Sequence, residues 1–437
     1  ICTATSPRKR IGMSVLSSEL VLSQRSLWAE GQPISDLMSR ALTNPDLISL
    51  AAGFVDPTSL PVEVTRDVLH DLLASDSEAR RILQYGTTAG DPLLREYLLE
   101  ELVERDLDGQ RGDLSAEQVV LTAGSNQLLH LICETLLNPG DIVLCASPTY
   151  FVFTGMLTNI GARSIGVAVD DDGIIPESLE EHFEHLRRVG ELDRIAAIYV
   201  VPYFDNPRGV TMSLERRARV VEIANRWSSR RKIHVISDDA YRELRYAGED
   251  IPSMKAVDET GDTVIVTGTF SKSYAPGVRV GWGVLPRGLV EPICNQKGNV
   301  DFGSPHLNQH LMRRVLEMGV YRAHIEQVRA SYRRKLEAML AAADESLSPL
   351  AGVDWRRPNG GLYVWAELPE SIDTGPAGRL FDVAIQRGMF YVPGQYAFPA
   401  EGEPVRRNTM RLSFGVQTPD NIREGIRLLA EAIRDVM

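Results

Sequence analysis

Three apolar runs in the middle of this chain recur at a spacing that few architectures accommodate. Ile195–Tyr203, Ile233–Ser237 and Val264–Phe270 are rich in β-branched residues and lack the alternation of a half-exposed strand, so they read as strands buried on both faces. Just past them stand Asn206, Asp238 and Lys272, about 33 residues apart. Parallel strands need a crossover of a dozen or more residues, usually a helix, and such crossovers keep one hand. The spacing therefore predicts an α/β fold with a mostly parallel sheet and its polar groups gathered at the strands' carboxyl ends.

Lys272 is the most unusual of these groups. It follows the run Val264–Phe270 directly, in Ser271-Lys272-Ser273, where the chain turns at Pro276-Gly277 into a second run, Val278–Val284. Lysine is rarely buried unpaired, and poor solvation lowers its pKa. A neutral amine can form a Schiff base with a carbonyl. Thr269, Ser271, Ser273 and Arg279 lie within a few residues, and hydroxyls with a guanidinium make a phosphate cradle. An aldehyde that carries its own phosphate is pyridoxal phosphate. The plainer reading is a surface lysine in a serine-rich turn.

Other stretches add to this set. Gln118–Thr122 reads as a strand, and Gly124, Ser125 and Asn126 open the helix Gln127–Leu137, where free N–H groups and a hydroxyl suit an anion or simply cap the helix. Ile142–Ala146 is a further strand, ending before Tyr150. A carboxylate at a buried strand end, as at Asp238, can keep a basic ring nitrogen protonated, although the pair Asp238-Asp239 could equally cap a helix. Arg411 sits in an otherwise apolar strand, Thr409–Gly415, and needs a partner there.

TFSK-x6-R-x-GW, from Thr269 to Trp282, resembles the cofactor-lysine segment of fold-type-I, class I/II aminotransferases. The likeness runs from about Ile48 to the C-terminus and is greatest to the branch of 2-aminoadipate and kynurenine aminotransferases. It implies a large domain with a mostly parallel sheet over 51–305, a smaller α+β domain over 306–437, and an arm over 1–50. It implies pyridoxal 5'-phosphate as cofactor and transamination between an α-amino acid and a 2-oxo acid. Lys272 would carry the cofactor aldehyde and later shuttle the proton. Asp238 would face the ring nitrogen and make the ring an electron sink, Asn206 and Tyr241 would bond its hydroxyl, and Tyr150 would stack on it. Ser125, Asn126, Thr269, Ser271 and Arg279 would surround the phosphate. In Gln84-Tyr85-Gly86, Tyr85 would reach the partner's cofactor across a homodimer with shared active sites. Gly53 lies in a loop over the substrate, and Arg411 would fork the substrate α-carboxylate. Asp205 and Arg208 depart from the family's QNPTG pattern, and Arg208 adds a cation near the site.

Three other function classes are weighed, of which a non-catalytic protein that binds the same cofactor is disfavoured by the complete catalytic set. A lyase, cyclase or oxidase using the same cofactor stays open because of Asp205 and Arg208. A transcription regulator carrying this domain is disfavoured, because only about fifty residues precede the resemblance.

Bulk properties set outer limits. Lys+Arg 47 against Asp+Glu 59 gives a net charge of −12, which argues against nucleic acid or an anionic membrane as partner. Four scattered cysteines, Cys2, Cys133, Cys145 and Cys294, suit a reducing compartment, and a cytoplasmic location is expected. No apolar run approaches the ~18 residues that span a bilayer. Residues before Met13 are treated as added or processed sequence, with a transit peptide as the weaker alternative. A short helix is expected over Ser35–Arg40, a strand over Leu47–Ala52, long helices over Leu307–Met318 and Tyr321–Glu345, strands over Gly360–Leu368 and Gly388–Pro393, and a last helix over Asn421–Val436. His306 and His310 have ligand spacing, but no third ligand is evident, so no metal is expected. Asp170-Asp171-Asp172-Gly173 lacks the later ligands of a calcium loop and reads as a solvated turn before a helix over 176–188.

Overall fold

The computed structural model describes residues 20–29 and 47–437. The helix expected over Ser35–Arg40 lies outside them. The three apolar runs form adjacent parallel strands, Ile195–Val200, His234–Asp238 and Val264–Thr269, in the centre of an eight-stranded sheet. Continuing outward from Ile195–Val200, the order is Ile142–Ala146, Arg163–Val167 and Glu401–Gly402, all parallel. On the other side, Gly281–Val284 runs antiparallel to both Val264–Thr269 and Val119–Thr122. Every residue of the three central strands is buried, as continuous apolar runs require. The helices Ser125–Leu136, Pro176–Arg188 and Leu214–Trp227 supply crossovers and cover the faces.

A smaller antiparallel sheet takes the order Asp354–Trp355, Tyr363–Glu367, Thr409–Ser413, Val392–Pro393. Its central strand pairs Arg411 with Trp365 on one side and Val392 on the other, which fixes the guanidinium's direction. The helix Val320–Ser346, 27 residues and roughly 40 Å long, packs along Pro419–Arg434. The expected strand over Leu47–Ala52 shrinks to Ile48–Ser49, which pairs with Met389–Phe390. The run expected over Gly388–Pro393 splits, since Met389–Phe390 and Val392–Pro393 belong to different sheets. Asp170 is also less free than a solvated turn implies: it accepts from Arg216 at 2.6 Å within a small hairpin, Val169–Asp170 with Gly173–Ile174. Among the described residues, no helix is long and apolar enough to cross a membrane.

Candidate active site

The carboxyl ends of the central strands open into a cavity of about 320 Å³ between the two sheets. Its wall contains Gly53, Ser125, Asn126, Tyr150, Asn206, Asp238, Tyr241, Thr269, Ser271, Lys272, Arg279 and Arg411. Segments more than 350 residues apart in sequence thus converge, because each sits at a strand end or on the loop beyond it.

Lys272 is held near the middle of this set. Its Nζ donates to the Gly53 carbonyl at 2.7 Å. Burial lowers its pKa, Arg411 and Arg279 push the same way, and only Tyr363 opposes them. Gly53 has no room for a side chain, since a Cβ there would lie 2.5 Å from the Tyr363 hydroxyl.

One end of the cavity is an anion cradle. Arg279, in the left-handed region at φ 51°, donates through Nη1 to Ser271 Oγ at 3.2 Å and through Nη2 to the Ala123 carbonyl at 3.0 Å. Thr269 Oγ1 donates to Ser271 Oγ at 2.9 Å. The helix Ser125–Leu136 begins one residue earlier than the sequence pattern suggests, and Gly124 caps it without any side-chain hydrogen bond. The free N–H groups at this helix start therefore need an acceptor. Gly281 permits the approach: a Cβ on it would lie 2.5 Å from the Ser125 nitrogen.

At the other end, Asp238 is buried and accepts from Tyr199 Oη at 2.8 Å and Thr267 Oγ1 at 3.3 Å. Burial raises its pKa to about 6 against those bonds, so a neighbouring cation would favour its ionised form. Tyr150 lies half-buried between these ends, and desolvation pushes its phenol up to about 12 against a hydrogen bond with Asn126. Tyr241 Oη lies 3.1 Å from Tyr363 Oη.

Arg411 has no ion pair among the described residues, so the structural pair that its strand position left open does not form. Its Nη1 donates to Asn206 Oδ1 at 2.9 Å and its Nη2 to the Ala51 carbonyl at 3.0 Å, while Nε is buried without a partner. The guanidinium lies 4.2 Å from the Tyr363 ring centroid.

Two expectations change. Arg208 does not supply a cation to this cavity: Nε and Nη2 donate to Asp205 Oδ2 at 3.1 Å, Nη1 donates to the Asp170 carbonyl, and both residues are buried away from it. Tyr85, expected to reach the partner's cofactor, lies outside this chain's own wall; it is 74% exposed and meets Phe302 edge-on at 5.3 Å. His306 and His310 do have a carboxylate neighbour, Asp91. The sequence reading also missed Tyr363 and Tyr199. Tyr363 stands beside the Gly360-Gly361 turn, whereas Tyr199 sits in an unbroken apolar run that carries no signal.

These residues fit pyridoxal phosphate: a cradle with free N–H groups for the phosphate, a buried acid for the ring nitrogen, an aromatic wall, and a half-buried amine for the aldehyde. The profile of the family "Aminotransferase class I and II" matches residues 45–429. The chain is 35% identical to an aromatic-amino-acid aminotransferase of Thermococcus litoralis over 98% of each chain, and 31% identical to a 2-aminoadipate transaminase of Thermus thermophilus over 90% of this chain and 91% of that one. It is also similar to the solved kynurenine aminotransferase of Pyrococcus horikoshii, with 36% identity, a TM-score of 0.87, and coverage of 95% of this chain and 97% of that one. The chain belongs to the class I and II aminotransferases. It is a pyridoxal-phosphate enzyme that moves an amino group between an amino acid and a 2-oxo acid.

The Tyr199 bond stabilises ionised Asp238, so its loss raises the carboxyl's pKa further. A hydrogen bond to a charged group contributes about 1.5–3 kcal/mol, or about one to two pH units. Tyr199→Phe is expected to move the acid limb of the kcat/KM profile upward by that amount. An unmoved limb would show that Tyr199 only packs.

Proposed function

We propose that Lys272 is the residue that holds the cofactor and moves the substrate's proton, with the remaining wall residues in the roles that follow. The observation that carries this reading is a half-buried lysine bonded to the Gly53 carbonyl, its pKa lowered by desolvation, between an anion cradle and a buried acid. When bound, the cofactor supplies an electron sink for the carbanion formed at the substrate Cα. Asp238 holds a proton on the ring nitrogen. Asn206 and Tyr241 hold the ring hydroxyl, and Tyr150 covers a ring face. Ser125, Asn126, Thr269, Ser271 and Arg279 bind the phosphate through hydroxyls, helix N–H groups and a guanidinium. Lys272, with its amine free, would take the Cα proton and deliver it to the cofactor carbon on the far side of the transferred nitrogen. Arg411 forks the α-carboxylate, with Asn206 beside it.

The amino donor is proposed to carry a neutral, aromatic or aliphatic side chain. Phe54, Phe151, Val152 and Val392 supply the apolar wall, and among the described wall residues the cations are Lys272, Arg279 and Arg411, all assigned. The relatives named for aromatic amino acids and kynurenine agree with this choice. We also assign the division of the chain at 51–305 and 306–437, and a homodimer in which the exposed Tyr85 and Phe302 meet a second copy. The thiols of Cys133, Cys145 and Cys294 are free, which supports a reducing compartment such as the cytoplasm.

Sedimentation of the active enzyme is expected to show a dimer, and a fully active monomer would remove the role given to Tyr85. With an aromatic amino acid and no acceptor, a single equivalent of 2-oxo acid per subunit is expected; adding a 2-oxo acid should restore turnover. Lys272→Ala should abolish both reactions and prevent borohydride from fixing the cofactor to the chain. Cofactor fixed at another lysine would refute the assignment.

Arg411→Lys keeps the charge but loses the planar fork. A truncated buried charge pair costs about 2–5 kcal/mol, equivalent to about a 30-fold to 5000-fold fall in kcat/KM. Both half-reactions should suffer, since donor and acceptor share the carboxylate, while cofactor attachment at Lys272 persists. Native rates in the variant would mean that the carboxylate is held elsewhere.

A further inference from the structure

A second cluster of potential ligands lies outside the cavity, where the loop Gln84–Gly86 meets the helix His306–Glu317. His306 and His310 are one turn apart on this helix, and Asp91 faces them from the start of the helix Pro92–Asp106. One ligand atom from each lies within 4.8 Å of the others. The two Nε2 atoms are 3.0 Å apart, and His310 Nε2 is 3.7 Å from Asp91 Oδ2. Nitrogen and oxygen ligands about 2.0–2.2 Å from a tetrahedral ion stand about 3.3 Å from one another, so these separations bracket what an ion needs.

We propose that Asp91, His306 and His310 bind a divalent transition-metal ion of the zinc type, with water completing its coordination.

The surroundings prepare each ligand. His306 Nδ1 faces the Gln84 carbonyl at 2.9 Å, which fits an N–H there and leaves the Nε2 lone pair turned toward His310. His310 is fully buried, with its Nε2 facing both His306 and Asp91. Neutral imidazole is the form that binds metal. With the N–H of His306 on Nδ1, the 3.0 Å contact between the two Nε2 atoms puts the His310 proton on its Nε2. Binding moves that proton to His310 Nδ1, which is buried and has no partner, so no proton leaves the site. The unpaired N–H lowers the affinity below that of a four-ligand structural site.

Asp91 is held by its neighbours. Its N–H donates to Gln309 Oε1 at 2.7 Å, and its Oδ1 accepts from the Leu94 N–H at 2.8 Å, leaving Oδ2 toward the histidines. Arg313 Nη1 also contacts Asp91, at 3.2 and 3.4 Å, and competes with an ion for the carboxylate. Arg313 has a second carboxylate within reach, Glu317 at 3.3 Å, so it is not left unpaired. In the isolated chain the cluster opens on a surface depression lined by Gln84, Gly303 and half-buried His306, beside the Tyr85 face assigned above to the second copy. Imidazole with carboxylate suits zinc and its neighbours better than calcium or magnesium. An ion there would fix His306 and, through Gln84, the base of the loop that carries Tyr85.

The test uses the cofactor-loaded enzyme, stripped of metal with a chelator and dialysed. Zn(II) is titrated by calorimetry, and Co(II) serves as its coloured counterpart. One ion per chain is expected, with the visible absorption of Co(II) bound by nitrogen and oxygen and a thermal midpoint that rises with Zn(II). Cofactor absorbance should not change, which separates this site from the cavity. His310→Ala should weaken binding at least about tenfold, and His185→Ala, at an exposed position, should not. If His310→Ala fails to fold, His306→Gln, at a half-buried position, reads the same loss. No binding at millimolar Zn(II), or binding unchanged in His306→Gln, overturns the proposal.

Discussion

The imbalance of charge in the main cavity is the constraint on which the rest of the site depends. Lys272, Arg279 and Arg411 are cations in its wall, and Asp238 is the carboxyl that faces them. Taking charges out of water is costly unless they are paired or hydrogen-bonded. Each is instead anchored on neutral oxygen: Lys272 on the Gly53 carbonyl, Arg279 on the Ala123 carbonyl and Ser271, Arg411 on Asn206 and the Ala51 carbonyl. Such anchors hold a guanidinium in place without neutralising it. A ligand carrying a phosphate at one end and a carboxylate at the other answers this imbalance, and in the proposed assignment Arg279 and Arg411 meet those two anions.

The anchors also join the two larger sheets. Arg411 belongs to the small antiparallel sheet, Asn206 follows a strand of the large one, and Ala51 follows Ile48–Ser49, a strand of neither. Two guanidinium bonds therefore tie three separate parts of the chain over the cavity. The Tyr363 ring adds a face to the same cation and a hydroxyl to Tyr241. Arg411 and Lys272 outweigh the effect of burial and hold the Tyr363 phenol below its usual pKa. The tyrosine thus responds to the charge of both neighbours.

Much of this was legible in the sequence because it was written locally. A buried strand is a short apolar run, and a strand-end residue is found by counting from it, as with Asn206, Asp238 and Lys272. Signals that depend on how the chain folds back were incomplete. Arg208 looked like a free cation because its pairing with buried Asp205 depends on how the turn folds back. The histidine pair looked incomplete because Asp91 lies 215 positions earlier. Tyr199 gave no warning because a tyrosine in an apolar run is ordinarily core, and here its ring does stack on Phe153 at 3.7 Å while only the hydroxyl reaches Asp238.

The neighbouring acids Asp238 and Asp239 show what strand geometry adds to such a reading. Successive side chains on extended backbone point to opposite faces, so one step along the chain separates two environments. Asp238 turns to the cofactor cavity. Asp239 turns to a separate cavity on the other side, where it accepts from Ser237 Oγ at 2.6 Å. Burial raises both carboxyls, Asp238 to about 6 and Asp239 to about 7, so desolvation alone does not distinguish them. Their partners do. Asp239 has Arg242 and Arg217 near it, fixed charges of the protein itself, whereas Asp238 has only the neutral donors Tyr199, Thr267 and the Ala240 N–H. A carboxyl with neutral donors keeps most of its attraction available for a cation that arrives with a ligand. That difference in partners, set by a two-residue period, is why the first acid of the pair suits a cofactor ring nitrogen and the second suits the scaffold.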